Sequence, residues 1–369
     1  MAVITRYFST SGAGAADGTT WANRAPLFDA GPAWSSIIKG FNFSGSDSLL
    51  CLIGPGTYSC GTDSLTNGDF TNAPTIFNKL VMHGCDSSGV ALSQPDPDWT
   101  ADQLTWDASG LPLFSSSNTT SFVSLANCLL RLIAFENSGL TTGGCLGTSS
   151  YGADWCHFTN SSSNSSTYGL PSGVWTNCVV KMTGTAYSYA LNTTNAFNVR
   201  VEGNASATSG NRNGVALSSS ANLFRVVSIN HVGDGCNDSG TSTGVTLRIL
   251  NCIFANNGGT GLKMPNITGT PAVIAVIQNC MITGNGAYGF DGNTNLMPNF
   301  ARNNRLRDNT SGNFTNTGNN LTTEVNYTTD SDDASEYVDA ANGDFRIKAS
   351  ATIAPMGFGV SLAKPTVAS

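Results

Sequence analysis

The sequence predicts an all-β solenoid, a coil of short parallel strands stacked around a long core, and three observations predict it. Asn-Cys pairs recur at Asn127-Cys128, Asn177-Cys178, Asn251-Cys252 and Asn279-Cys280, spaced 50, 74 and 28 residues apart. Those intervals are close to two, three and one multiples of a period near about 25, in the range of stacked repeats. Each pair opens or interrupts a β-favouring run, as in Leu129-Leu130-Arg131-Leu132-Ile133 and Val179-Val180-Lys181-Met182, and unmarked intervals hold similar runs such as Phe224 to Ile229. No sustained apolar pattern of helical period appears; apolar runs alternate with Gly/Asn/Ser/Asp clusters that read as turns.

Composition supports a folded coil. Only 11% of residues are charged, whereas 40% are hydrophobic, with 18 Phe, 9 Tyr and 6 Trp. That is enough apolar surface for a long core, and a solenoid core grows in one dimension instead of swelling. From the N-terminus, residues 1–47 form an opening cap, with short helical turns expected between Trp21 and Phe43 at Pro26-Leu27-Phe28 and Trp34 to Ile38. Residues 48–320 form the coil body, and 321–369 a closing segment. A span from Ser48 to Ile347 at this period gives about a dozen coils. The runs Ser161 to Thr167 and Asn309 to Asn326 read as loops protruding from the coils. Caps are required because an open coil end is an unpaired sheet edge.

Stacking explains the pairs themselves. Parallel strands lie about 4.8 Å apart, so corresponding residues of successive coils sit one above another. Cys fits an interior row as a small hydrophobe. Asn beside it tolerates the left-handed bend that turns one flank into the next, and stacked Asn amides can bond along a ladder.

Three stretches carry a family resemblance. Tyr7-Phe8-Ser9-Thr10, then Gly12, Gly14, Asp17-Gly18-Thr19 and Trp21, resembles a common beginning of right-handed parallel β-helix proteins, the superfamily that includes pectate lyases and phage tailspikes. Leu49 to Tyr58, ending in Pro55-Gly56-Thr57-Tyr58, looks like their first coil, and Gly343-Asp344-Phe345-Arg346-Ile347 with Ala354-Pro355-Met356-Gly357 resembles a closing segment. The resemblance brackets nearly the whole chain. It implies a single-stranded right-handed parallel β-helix with caps, and fixes fold better than function.

Met1 to Arg6 shows no signal-peptide core and no stretch reaches membrane-span length, so synthesis in a cytoplasm without standard export is expected. Ten cysteines are read as free buried thiols, with a few disulfides at Cys51, Cys60 or Cys85 as the alternative. No Cys-x-x-Cys or paired-His spacing suggests a metal, and no cofactor is implied. A net charge of −7 argues against nucleic acid. Arg302, Arg305 and Arg307 are read as a solvated turn or a contact for an acidic neighbour or sugar acid.

Glycan cleavage needs paired carboxylates, or an acidic Ca²⁺ face with a base. Asp332-Asp333 and Arg346-Ile347-Lys348 echo polygalacturonase motifs, but that family's Gly-His-Gly and Asn-Thr-Asp elements are missing. His231 with Asp234 is the best acid/base candidate, against a plain Asp-Gly turn. His83 and His157 read as structural. Glu136 and Glu202 are the only glutamates between residues 48 and 320. The six tryptophans, Trp99 and Trp106 among them, either pack a cap or stack on sugar. The catalytic set is therefore left empty. The expected role, drawn from the resemblance of the opening segment to β-helix proteins among phage structural genes, is a non-enzymatic tailed-phage virion protein. A capsid decoration or cement protein at the virion surface is expected, held by other virion proteins and favouring a homotrimer. The alternatives are a tailspike-type binder of host polysaccharide and a β-helix polysaccharide lyase or hydrolase.

Overall fold

The computed structural model describes residues 2–27, 37–38, 41–43, 47–59, 65–66, 69–70, 72–74, 79–94, 108–117, 123–124, 127–139, 146, 151–161, 168–170, 173–208, 211–238, 246–264, 274–292, 299–302, 304–315, 321–324, 337–339 and 344–348. They fall into two compact units, Met1–Asp96 with Asp107–Tyr187, and Pro97–Trp106 with Ser188–Ser369. Each is built mainly of short strands paired in parallel with strands one coil away.

In the first unit, Val3–Ser9 pairs with Ser48–Ile53, and the row continues through Leu80–Gly84, Cys128–Arg131, Tyr151–Asp154 and Gly173–Thr176. A second row runs through Thr57–Ser59, Leu113–Ser116, Ala134–Asn137, His157–Asn160 and Val179–Met182. Side chains alternate across a strand, so register puts Tyr58, Phe114, Phe135 and Phe158 inside the coil as a buried column. Their ring centroids follow at 5.5, 5.3 and 4.9 Å, and Trp175 lies 5.8 Å from Phe158. Each such pair adds about 0.5–1.5 kcal/mol beyond the area it buries.

The helical turn expected at Pro26-Leu27-Phe28 is not formed at Pro26, where Ala25–Pro26 is a strand paired with Phe8 and Ser9; the 3-10 segment is Trp21–Asn23, capped by the Thr20 side chain accepting from Asn23 N. Trp21 lies beneath the Arg24 guanidinium, 4.8 Å away, and donates its indole N–H to Ser87 O. Trp155 and Trp175 are core residues. Trp34, Trp99 and Trp106 lie outside the described residues, as do Ser162 to Thr167 and Asp332-Asp333.

The second unit has three flanks. The long strands Tyr189–Glu202 and Asn213–Ile229 pair with each other and lead into them. Flank one carries Thr246–Leu250, Ile274–Gln278, Asn299–Arg302 and Leu321–Glu324. Flank two carries Ile253–Ala255, Met281–Thr283 and Arg305–Arg307. Flank three carries Cys236–Asp238, Leu262–Lys263, Tyr288–Asp291 and Gly312–Thr315. The stretch expected to protrude as a loop from Asn309 therefore supplies two coil strands, Gly312–Thr315 and Leu321–Glu324. Its Asn/Thr-rich composition hid them, because parallel pairing uses backbone groups that every residue offers. Tyr337–Asp339 and Asp344–Ile347 pair with each other in antiparallel fashion.

Corners are where the Asn-Cys pairs act. Asn127, Asn177, Asn251 and Asn279 have φ of 61°, 53°, 55° and 56°, and Cys128, Cys178, Cys252 and Cys280 are wholly buried. Asn visits this left-handed region at low cost. Asn198 and Arg225, both at φ 54°, turn the two long strands. Among the described residues no hydrogen bond joins these asparagines into the expected amide ladder. Asn177 donates to the Asp154 carboxylate (3.0 Å) and Asn127 to Pro74 O (3.0 Å). A corner side chain is half-exposed, so its amide meets whatever borders it instead of its counterpart one coil away.

Eight cysteines, Cys51 and Cys85 among them, are free and buried, and Cys60 is outside the described residues. Burial pushes the Cys51 and Cys156 thiols up to about 12. Since the thiolate is the reactive form, at most two of the ten thiols (ten less the eight described) should react with a thiol reagent in native protein. All ten should react once denaturant is added; a third reacting natively would contradict this packing.

Candidate functional site

A polar ladder inside the second unit positions the residues of flank three. After Ile229, Ala255, Thr283 and Arg307, which share a register row, the chain turns at Asn230 (φ 61°), Asn256 (55°), Gly284 (64°) and Asp308 (53°). The next residue of each coil is His231, Asn257, Asn285 or Asn309, all buried. The Asn257 side-chain oxygen accepts from His231 N, that of Asn285 from Asn257 N, and that of Asn309 from Asn285 N, each at 3.1 Å. The amide nitrogens donate downward, Asn257 to Asn285 (3.0 Å) and Asn285 to Asn309 (2.8 Å). They donate sideways as well, to Ser228 O, Phe254 O and Ile282 O. His231 takes the first rung and hydrogen-bonds the Val201 backbone, the register counterpart of Ser228.

Four residues of sequence beyond the rungs His231 and Asn285 lie glycines that make this packing fit. A Cβ on Gly235 would stand 2.5 Å from Asn257 Nδ2, and one on Gly289 2.6 Å from Asn309 Nδ2. Between ladder and strand, the chain then turns outward and delivers flank three.

On flank three, Cys236, Leu262 and Phe290 point inward and are buried. Alternation sends their neighbours outward: Asn237, Lys263, Asp291 and Thr315 follow one another along the register. Asp234 borders the row. Its Oδ1 accepts from Thr260 N (2.8 Å), and its Oδ2 accepts from Asn237 Nδ2 (2.8 Å) and faces Lys263 Nζ at 3.8 Å. Its own N–H donates to Asn213 Oδ1 (2.7 Å). The Lys263 side chain is 45% exposed, so its head group stands in water with Asp291 on the next strand, about 4.8 Å away across the ladder. Tyr288, half-exposed, follows the same flank. The result is an outward strip of amide, ammonium and carboxylate groups one coil apart, with the half-exposed Tyr288 phenol on the same strand as Asp291.

The sequence candidates separate in this setting. Asp234 belongs to the strip, whereas His231 is an interior rung, 1% exposed. Burial, partly opposed by the Val201 bond, lowers its pKa to about 3, so it is a neutral structural group. Arg305 is wholly buried, and Arg307 lies beside Asp308 (3.4 Å); the arginine series therefore does not form one surface cluster. Of Arg302, the backbone lies in the strand Asn299–Arg302. Asn237, Lys263, Tyr288 and Asp291 were missed. The signal that finds three of them is register: Asn237, Lys263 and Asp291 each follow the buried position, Cys236, Leu262 or Phe290, that repeats with the coil. No metal-holding cluster of three or more His, Cys, Asp or Glu occurs among the described residues, and none of their helices is long and apolar enough to cross a membrane.

No family model and no curated protein sequence matches the chain. Solved structures do. A rhamnogalacturonan lyase aligns over 96% of this chain and 99% of its own, with a TM-score of 0.50 and 11% identity. The fold is the right-handed parallel β-helix. The A-module of the Azotobacter vinelandii mannuronan C-5 epimerase AlgE4 aligns over 77% of this β-helix chain and 91% of its own, with a TM-score of 0.43 and 10% identity.

Proposed function

We propose that this β-helix protein binds an extended polysaccharide across flank three of its second unit. The observation that carries the reading is the strip Asn237, Lys263 and Asp291 with Asp234 and Tyr288, in which polar groups recur once per coil on one outward face. A linear polymer of sugars presents hydroxyls at a comparable repeat, so each coil meets the next unit of the same chain. Amides and carboxylates take hydroxyl hydrogen bonds, the phenol offers a ring and a hydroxyl, and the ammonium takes a ring oxygen or an acidic substituent. The end-to-end likeness to a protein named rhamnogalacturonan lyase supports this choice. The virion decoration role expected from the sequence has no such support; its polysaccharide-binding alternative does.

A panel of neutral and uronate-containing polysaccharides, measured by affinity electrophoresis and calorimetry, tests the reading. At least one should bind, and Lys263→Ala and Asp291→Asn should each weaken it about tenfold or more, the loss expected of a charged hydrogen bond. Thermal unfolding should be unchanged, since both side chains face solvent. Binding that survives both substitutions, or no binding by any polymer, would defeat it. Release of new chain ends that Lys263→Ala abolishes would extend binding to cleavage.

A further inference from the structure

The first unit holds a cleft of about 510 Å³ that plays no part in the proposed flank. Its walls are the turns Pro55–Thr57 and Ala108–Leu111, and its floor is the outer side of the strands Ala134–Asn137 and His157–Asn160. Phe135 and Phe158 point into the buried aromatic column. Alternation therefore turns Glu136, His157 and Thr159 outward from adjacent coils, with Glu136 directly opposite Thr159 in register and Ala134 opposite His157.

Glu136 is half-buried, yet among the described residues it has no hydrogen-bond or ion-pair partner. A carboxylate partly removed from water without a partner loses hydration and gains nothing in return. Here that cost is left for a ligand to offset. The other lining groups say what ligand. Pro55, Leu111, Leu113 and Ala134 offer an apolar surface, while Thr57 and Thr159 offer hydroxyls. A pyranose has this dual character, with C–H faces and vicinal hydroxyls that a single carboxylate accepts together.

The geometry points to a second saccharide site, in which Glu136, His157 and Thr159 hold a short neutral oligosaccharide. Neutrality follows from charge: the lining has one carboxylate and no lysine or arginine, so a uronate would meet Glu136 without a countercharge. The volume falls in the usual range for small-molecule pockets. A single carboxylate lacks the partner that glycoside hydrolysis needs, so the site binds without cleaving. It stands on different residues from flank three, and each can fail without the other.

The test titrates the full chain with neutral oligosaccharides (cello-, manno-, galacto- and malto-oligomers) and with oligogalacturonate, by calorimetry and saturation-transfer NMR. One neutral series should bind, Glu136→Gln should weaken it about tenfold or more, and Lys263→Ala should leave it unchanged. Unchanged binding by Glu136→Gln, equal affinity for oligogalacturonate, or no neutral oligomer binding at millimolar concentration would each overturn the proposal. A loss with Lys263→Ala alone would assign the saccharide to flank three and overturn it too.

Discussion

Lowering the pH from 7 to 4.5 should cost the native protein roughly 3 kcal/mol through His231 alone, and His231→Asn should remove that loss. The unfolded imidazole has a pKa near about 6.5, whereas burial holds the folded one at about 3. Above the unfolded value both states are neutral and the group exerts no pH effect. As the pH falls below it, the unfolded chain takes up a proton that the folded chain refuses until near 3. Stability is therefore lost across that interval at roughly 1.4 kcal/mol per pH unit. Asn is the residue at the three rungs below, and its amide would reach Val201 O as Asn257 reaches Ser228 O. Urea unfolding of both proteins at the two pH values checks this. Carboxylates shift both curves alike, so the difference between the proteins isolates the imidazole; parallel losses would show that His231 is not kept neutral by the fold.

Asn285→Ala should destabilise the protein by about 4 kcal/mol or more, among the largest effects available to one polar side chain here. Asn285 donates to Phe254 O (3.1 Å) and Asn309 Oδ1 (2.8 Å), and accepts from Asn257 N (3.1 Å) and Asn257 Nδ2 (3.0 Å). Truncation strands those partners in a dry interior, at about 1–3 kcal/mol for each buried group left unpaired, less what relaxation recovers. Asn237→Ala, on the outer face, should cost under about 1 kcal/mol. Denaturant midpoints for the two variants decide the matter. A small effect for Asn285→Ala would mean that water enters the ladder, which the burial of all three asparagines argues against.

Much of the fold was legible because corners leave a local signature. A left-handed residue followed by a small buried one is written in sequence as Asn-Cys, and Asn251-Cys252 and Asn279-Cys280 repeat it on successive coils. The ladder was not legible, for Asn257, Asn285 and Asn309 sit in Gly/Asn-rich turns and look like the solvent-facing asparagines around them. Only their spacing, 28 and then 24 residues, sets them apart. His231 was hidden further, since an imidazole in an amide's place breaks the pattern and reads as chemistry. Lys263 falls in one coil and Tyr288 and Asp291 in the next, and a search for clustered carboxylates passes over groups that only stacking brings together.

The corners also decide where this protein tolerates a change of length. The two bends that bracket flank two keep one separation from coil to coil: 225 to 230, 251 to 256, and 279 to 284. All the drift in the repeat is thus confined to the rest of the coil, above all the intervals 239–245, 265–273 and 293–298 between flank three and flank one. Those intervals begin just after Asn237-Asp238, Lys263-Met264 and Asp291-Gly292. Insertions and deletions can accumulate there without disturbing a single corner, so the part of the chain most open to evolutionary remodelling adjoins the strip proposed to meet the glycan, and a relative could acquire a new sugar preference while keeping the same spine.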